Sequence, residues 1–263
     1  MSVAARELNA ITAIAFREFS RAFRSPVPFV VSLVFPILFL GILGGNLAQN
    51  LGGDIGFHYL QFVMIGMMVN SLFMETISGM SSLIEERDKN ITQQLYVSPI
   101  SRYSIIVGKM VGSGVMSMIG LAGILIVAIV MQVPLGGMNM VWLLLITPMI
   151  GMVGASLGIL FISFLRDAKT ADAGSMLLVM PQLLLSGAII PITHSEGILG
   201  FLAKIMPMTY CIDFARGVFY WGKSEYDVIV LHHPLLNLSV MVGLFLVFSI
   251  FGSIMFARAE SNR

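Results

Sequence analysis

Residues 59–89 read YLQFVMIGMMVNSLFMETISGMSSLIEERDK, and this stretch decides the class of the fold. From Tyr59 to Leu83 a single charge, Glu75, interrupts an otherwise uncharged, mostly apolar run. A helix needs about 20 such residues to cross a bilayer core of roughly 30 Å. The run then breaks into Glu85-Glu86-Arg87-Asp88-Lys89, the densest charge cluster of the chain. Comparable apolar runs occupy residues 29–47, 105–131, 141–165, 171–192 and 235–257. The 263 residues are 57% hydrophobic and only 11% charged, against about 25% charged in a soluble domain. The expectation is an all-α integral membrane protein. It is one transmembrane domain over residues 1–263, with six spans and no room for a soluble domain between them.

The placement of charge orients the spans. Lys and Arg near span ends accumulate on the cytoplasmic side. Arg6, Arg17, Arg21 and Arg24 precede the first run, and Arg87, Lys89, Arg102 and Lys109 surround the second gap. Arg166 and Lys169 lie in the fourth gap, and Arg258 and Arg263 follow the last run. Only Lys204, Arg216 and Lys223 fall on the other side. Both termini are therefore expected in the cytoplasm. A basic start before an apolar run also fits a signal peptide. The run begins too late and lasts too long for one, and Ala48 makes a poor cleavage site, so a retained span is expected.

Residues 3–24 predict an amphipathic helix rather than a span. At about 100° per residue, Leu8, Ile11, Ala15, Phe16, Phe19, Ala22 and Phe23 share one arc, and Arg6, Arg17, Arg21 and Arg24 the opposite one. Ile14 and Glu18 interrupt the pattern. Such a helix lies in the membrane interface with its arginines toward phosphates. Ser25-Pro26-Val27-Pro28 ends it, because proline cannot continue the hydrogen-bond ladder. Residues 85–102 form the sizeable cytoplasmic loop. Residues 193–234 lie outside yet contain two apolar stretches, Gly197–Met206 and Met208–Trp221, separated by Pro207. Each is too short to span, so they predict a re-entrant or interfacial helical hairpin, or else a cap packed on itself. Tyr210, Phe214, Phe219, Tyr220 and Trp221 suit the headgroup level, where aromatic rings concentrate.

Several chemistries have no sequence support. No Gly-x-x-x-x-Gly-Lys-Ser/Thr loop is present to cradle ATP. His58, His194, His232 and His233 have no zinc-ligand spacing, and no Gly-x-Ser-x-Gly occurs. Cys211 is the only cysteine, which excludes an intramolecular disulfide and suggests a packing residue. The net charge of +1 gives no reason to expect nucleic acid. Gly112-Ser113-Gly114 and the series Gly151, Gly154, Ala155, Gly158 suggest close helix packing. Glu75 lies within the second span, where a charge is costly. It reads either as a group facing substrate or coupling ion, or as a carboxyl paired with a neighbouring helix. Lys109 is near enough to the inner surface to snorkel. Asp213 and Arg216, spaced i,i+3, can pair on the hairpin. The 20 methionines suit either a surface for varied apolar cargo or plain apolar filling.

The order of these parts resembles the ABC-2 type exporter permease family, the membrane halves of daunorubicin-resistance-like and polysaccharide or lipid exporters. Two local motifs carry the resemblance. Glu85-Glu86-Arg87, then Thr92, Leu95 and Ser98-Pro99-Ile100-Ser101-Arg102, look like the family's cytoplasmic loop. Its frequent Gly-Thr-x-Glu is replaced here by Asn90-Ile91-Thr92-Gln93-Gln94. Met206-Pro207-Met208-Thr209-Tyr210, with Asp213, Arg216 and Gly217, looks like the segment before the family's last span. The resemblance implies a non-catalytic subunit that pairs with a second copy, as a homodimer or heterodimer. Each copy docks an ABC ATP-binding subunit that holds ATP and magnesium. The coupling loop would use Glu85, Glu86, Arg87, Thr92, Leu95, Ser98, Pro99 and Arg102, seconded by Arg17, Arg21 and Arg24 of the interfacial helix. Glu75, Phe35, Phe39 and Phe73 would line the pathway, and Pro207, Tyr210, Asp213 and Arg216 would shape the outer hairpin. The expected function is outward movement of an apolar or amphiphilic drug or lipid, rather than a glycan, across a prokaryotic cytoplasmic membrane. The alternative is a secondary transporter driven by an ion gradient through Glu75.

Overall fold

The computed structural model describes residues 3–24, 34, 37–44, 57–88, 101–165, 167–192 and 197–261. Helix α1 is Val3–Arg24, and a π-helical segment spans Ile37–Gly44. Then follow α2 (Tyr59–Asp88), α3 (Arg102–Val130), α4 (Met138–Ile162) and α5 (Ala168–Leu185). Helices α6 (Gly197–Ile205), α7 (Pro207–Phe219), α8 (Tyr226–Ile229) and α9 (Pro234–Ser261) complete the order. No strand occurs among the described residues, which agrees with an all-α chain.

Four described helices are long and apolar enough to cross a membrane: Tyr59–Glu86, Tyr103–Val130, Met138–Ile162 and Pro234–Ala259. The pair α6 and α7, bent by 82° at Met206, makes a fifth if it counts as one broken span. Most of the expected first span, including Phe35, lies outside the described residues. The expected fifth span, 171–192, is shorter than its apolar run. Helix α5 has 18 residues and stops at Leu185. Gly187 follows at φ +78°, a left-handed position that suits glycine and closes a helix.

Helix α2 is the axle of the bundle and packs against α3, α4, α5 and α7. In its most apolar window 83% of residues are buried, against 17% for α9 on the periphery. The small residues of α4 serve this packing, as the sequence suggests. A Cβ on Gly154 would press on Phe73 and Thr76 of α2, and one on Gly158 on Ile77 and Met80. Local chemistry sets the helix starts. Ser101 Oγ accepts from Ser104 N at 3.0 Å and caps α3. Asp167 Oδ1 accepts from Thr170 N at 2.9 Å and caps α5, as short polar side chains do at such positions.

The hairpin differs from a cap packed on itself. Pro207 opens α7 as expected, but α7 is wedged against α2, α4 and α9. Phe219 and Tyr220 are therefore wholly buried, Phe214 nearly so, and of the five aromatics expected at headgroup level Trp221 alone is strongly exposed, at 63%. Helix α6 is the exposed half, with Ile198, Leu199, Phe201 and Ile205 uncovered. Cys211 is buried in the core.

Candidate functional site

The described residues gather polar chemistry at three levels of α2. At its carboxy-terminal end, α1 runs alongside α3. A Cβ on Gly108 would meet Ile14, and one on Gly112 would meet Glu18 and Ala15, so these two glycines let the helices approach. Ala10, Ile14 and Glu18 are the buried face of α1, while Leu8 and Phe16 stay exposed. The two residues that interrupt the amphipathic arc are thus the docking face. Their i,i+4 spacing with Ala10 is the signal that marks a second, protein-facing stripe.

Docking of α1 brings Glu18 onto Lys109, which does not snorkel. Its side chain is 0% exposed. The ammonium lies 2.9 Å from Glu18 Oε1 and 2.8 Å from Glu86 Oε1, and donates to Ser82 Oγ at 2.6 Å. Arg17 reaches the same Glu86 in a two-pronged bond, donating to Oε1 at 2.9 Å and Oε2 at 3.0 Å. It also lies 3.2 Å from Glu18 Oε1. A buried ion is tolerable only with such close counter-charges. Burial works against the Arg17 charge, but the Glu86 and Glu18 carboxylates outweigh it and hold the guanidinium above its usual range. Near the start of α1, Glu7 Oε2 accepts from Ser101 N at 3.2 Å. Bonds from Ser104 and Ser101 hold that carboxyl below its usual range.

These facts revise the expected loop. Helix α2 runs on to Asp88, so Glu85, Glu86 and Arg87 stand on a helix, and Glu86 turns inward with 6% exposure. Thr92, Leu95, Ser98 and Pro99 lie outside the described residues, and Arg102 begins α3. Arg21 and Arg24 stand on α1, with side chains outside the described set.

Midway along α2, Glu75 accepts a hydrogen bond from Ser71 Oγ at 3.3 Å. Gly120 of α3 faces it so closely that a Cβ there would overlap the carboxylate. Phe73, expected in the pathway, is instead wholly buried against α4. An apolar ring on the crowded side of α2 packs where Gly154 leaves room. Phe39 is half-buried on the π-helical segment and packs on the main core.

At the opposite end, Asp213 and Arg216 do not pair with each other. Asp213 accepts from Leu231 N at 2.7 Å, His232 N at 2.8 Å and Asn237 Nδ2 at 2.8 Å. It thus satisfies the amides that lead into α9. Arg216 donates to Phe62 O, Gly187 O and Ala188 O at 3.2, 2.9 and 3.2 Å. It stacks 3.4 Å above the Phe62 ring. The cation thereby meets buried carbonyls just past the end of α5, where positive charge is favoured. Tyr210 donates to Lys204 O at 2.8 Å and ties α7 to α6. The i,i+3 spacing is outbid by these distant backbone groups.

The model of the ABC-2 type transporter family matches residues 9–220, from α1 through α7. "Nodulation protein J" of Rhizobium meliloti (strain 1021) is 24% identical over 219 residues, 81% of this chain and 77% of that one. "Putative transport permease ycf38" of Porphyra purpurea is 26% identical over 255 residues, 94% of this chain and 87% of its own length. "Probable multidrug ABC transporter permease YbhR" of Escherichia coli (strain K12) is 25% identical over 150 residues, 56% of this chain and 40% of that one.

Proposed function

The chain belongs to the ABC-2 type transporter family and is a multi-pass ABC transporter membrane subunit; from that premise we infer that it works as a non-catalytic permease in an ATP-driven exporter. The observation that carries this reading is the burial of Lys109 between Glu18 and Glu86. That clamp fixes α1 to the helix ends bordering residues 89–100, so a push on this face would reach α2 and α3 as one body. A rigid joint is what transmission of ATP-driven motion needs, because a conformational change requires contacts that differ between its two states.

In this reading residues 1–263 form one domain of six spans, the first over 29–47 and the fifth over 171–192 and following α5 for most of its length. The charged end and both termini face the cytoplasm of a prokaryotic cell, by the distribution of Lys and Arg. Residues 85–102 carry the coupling segment. Two copies pair, alike or related, and each meets an ABC ATP-binding subunit that holds ATP and magnesium. Membrane lipids surround α9 and the apolar outer side of α1, where Leu8 and Phe16 are uncovered. The cargo is an apolar or amphiphilic drug or lipid. The multidrug name of the Escherichia coli relative supports that choice, and the Nodulation protein J relatives support a glycan-like cargo as the second reading.

Purification of the tagged chain from its own membranes in mild detergent tests the proposal. A stoichiometric P-loop ATPase with vanadate-sensitive hydrolysis is the expected companion. An ATPase-free preparation that still moves solute down a proton gradient would overturn it and favour secondary transport through Glu75.

A further inference from the structure

Lys109 and Glu75, two ionic positions inside the described spans, are treated in opposite ways. Lys109 is enclosed by two carboxylates and a hydroxyl. Glu75 has no cationic group within ion-pair distance among the described residues, and the Ser71 hydroxyl is its side-chain hydrogen-bond partner, at 3.3 Å. It sits eleven residues before Glu86, about 16 Å along the helix axis, well inside the apolar layer. A carboxylate at that depth costs a few kcal/mol unless something offsets it.

Exposure along α2 shows where that something enters. Residues 61–73 are buried without exception. The helix opens at Met74 and Ser78, with Glu75, Gly79 and Ser82 half-covered on the same side. The carboxylate lies against Gly120 of α3, itself buried, and any Cβ there would displace it. Met116 stands one turn before Gly120 on α3 and is half-covered. The result is a half-covered acidic group beside an exposed methionine on its own helix, with a half-covered one on α3.

We propose that Glu75, lodged against Gly120 and flanked by Met74 and the small side chain of Ser78, is a recognition site for lipophilic cations. The chemistry selects the ligand. A small, hard cation gives up its water only to a shell of about six or more oxygen ligands. This site offers fewer, one carboxylate with the hydroxyls of Ser71 and Ser78. A cation whose charge is shielded by apolar groups needs no such shell. It gains the carboxylate as counter-charge and buries its body against the thioether of Met74, a soft and adaptable surface. Ser78, short and uncovered, leaves room for that body one turn along the helix. The inference deepens the export reading by naming a cargo class, yet the binding itself stands or falls separately.

Two probes with the same four-phenyl body and opposite charge make the test, tetraphenylphosphonium and tetraphenylborate. Binding is measured to the full chain in nanodiscs of zwitterionic lipid, with empty discs as blank. The wild type is expected to hold the phosphonium and discriminate against the borate. Glu75→Gln should weaken phosphonium binding at least about tenfold, or about 1.4 kcal/mol, without weakening the borate. Gly120→Ala, which pushes the carboxylate aside while leaving it present, should also weaken the phosphonium. It decides the matter if Glu75→Gln fails to fold. Phosphonium binding no greater than to empty discs, or equal in wild type and both variants, would overturn the proposal and mark Glu75 as a protonated packing group. Glu75-dependent binding by a chain that brings no ATPase with it from its own membranes would leave this inference standing while the export reading fails its own co-purification test.

Discussion

Lys109→Met asks whether the ionic clamp holds α1 in place. The wild-type ammonium is fully buried and binds Glu18, Glu86 and Ser82. Its removal strands two carboxylates that are only 6% and 8% exposed by side chain. Arg17 remains, but at 40% side-chain exposure it is partly committed to water. Taking one partner from a buried ion pair costs about 3–5 kcal/mol. For a chain of this size each kcal/mol lowers the unfolding midpoint by about 2–4 °C, so the midpoint should fall by roughly 6–20 °C. Adding Glu18→Met is expected to restore most of that loss. The double variant leaves the two-pronged Arg17–Glu86 pair intact at 2.9 and 3.0 Å, and exchanging a buried ion pair for apolar side chains is close to neutral. Thermal unfolding of the purified chain in detergent, with protease cleavage of α1 as a second readout, gives both numbers. A single variant as stable as wild type would refute the reasoning. So would a double variant whose loss equals the sum of the singles, since residues in one network should not add.

Three further outcomes follow from the packing. Gly66→Ala drives a Cβ into the Ala188 backbone and should cost more than the usual 1–3 kcal/mol of overpacking, whereas Gly114→Ala faces open space and should express as wild type. Asp213→Ala leaves the Leu231 and His232 amides without acceptors, a cost of about 1–3 kcal/mol for each buried group, read as faster hydrogen exchange there; Asp213→Asn should lose less. The Thr170 side chain and amide hold the Asp167 carboxyl below its ordinary 3.8. A depressed folded-state pKa contributes stability above the ordinary value that is lost as pH falls through the lower one. The Thr170 amide should therefore lose protection in acid, and Asp167→Asn should flatten that dependence.

The sequence carried its strongest information where one physical rule acts alone. The period of residues 3–24 makes a helix legible there, and one stands at Val3–Arg24. Pro207 marked the start of α7 in the same way. Span ends were less legible, since hydropathy does not see caps. The run to residue 192 conceals the left-handed turn at Gly187, and Glu85–Asp88 look like loop although they extend α2. The site residues were least legible. Lys109 reads as a snorkelling residue until α1 supplies Glu18 from 91 positions away. Asp213 and Arg216 look like an i,i+3 pair until the chain brings distant amides and carbonyls to each. Partners of that kind are set by tertiary contact, and spacing along one helix does not encode them.

The Lys109 clamp and the Asp213 cluster also impose a timetable on the nascent chain. Every member of the clamp has been synthesised once Lys109 is made. The acceptor carboxylate of Asp213 must wait for Asn237, about 130 residues later. At roughly 5–20 residues per second that interval is about 6–25 s. During it the amino-terminal three helices can already be locked while Asp213 still lacks its partner on α9. The tie from α7 to α9 is therefore the last of these polar contacts to form. A chain stalled after α5 should already protect α1 from cleavage; an α1 still open at that stage would contradict this order of assembly.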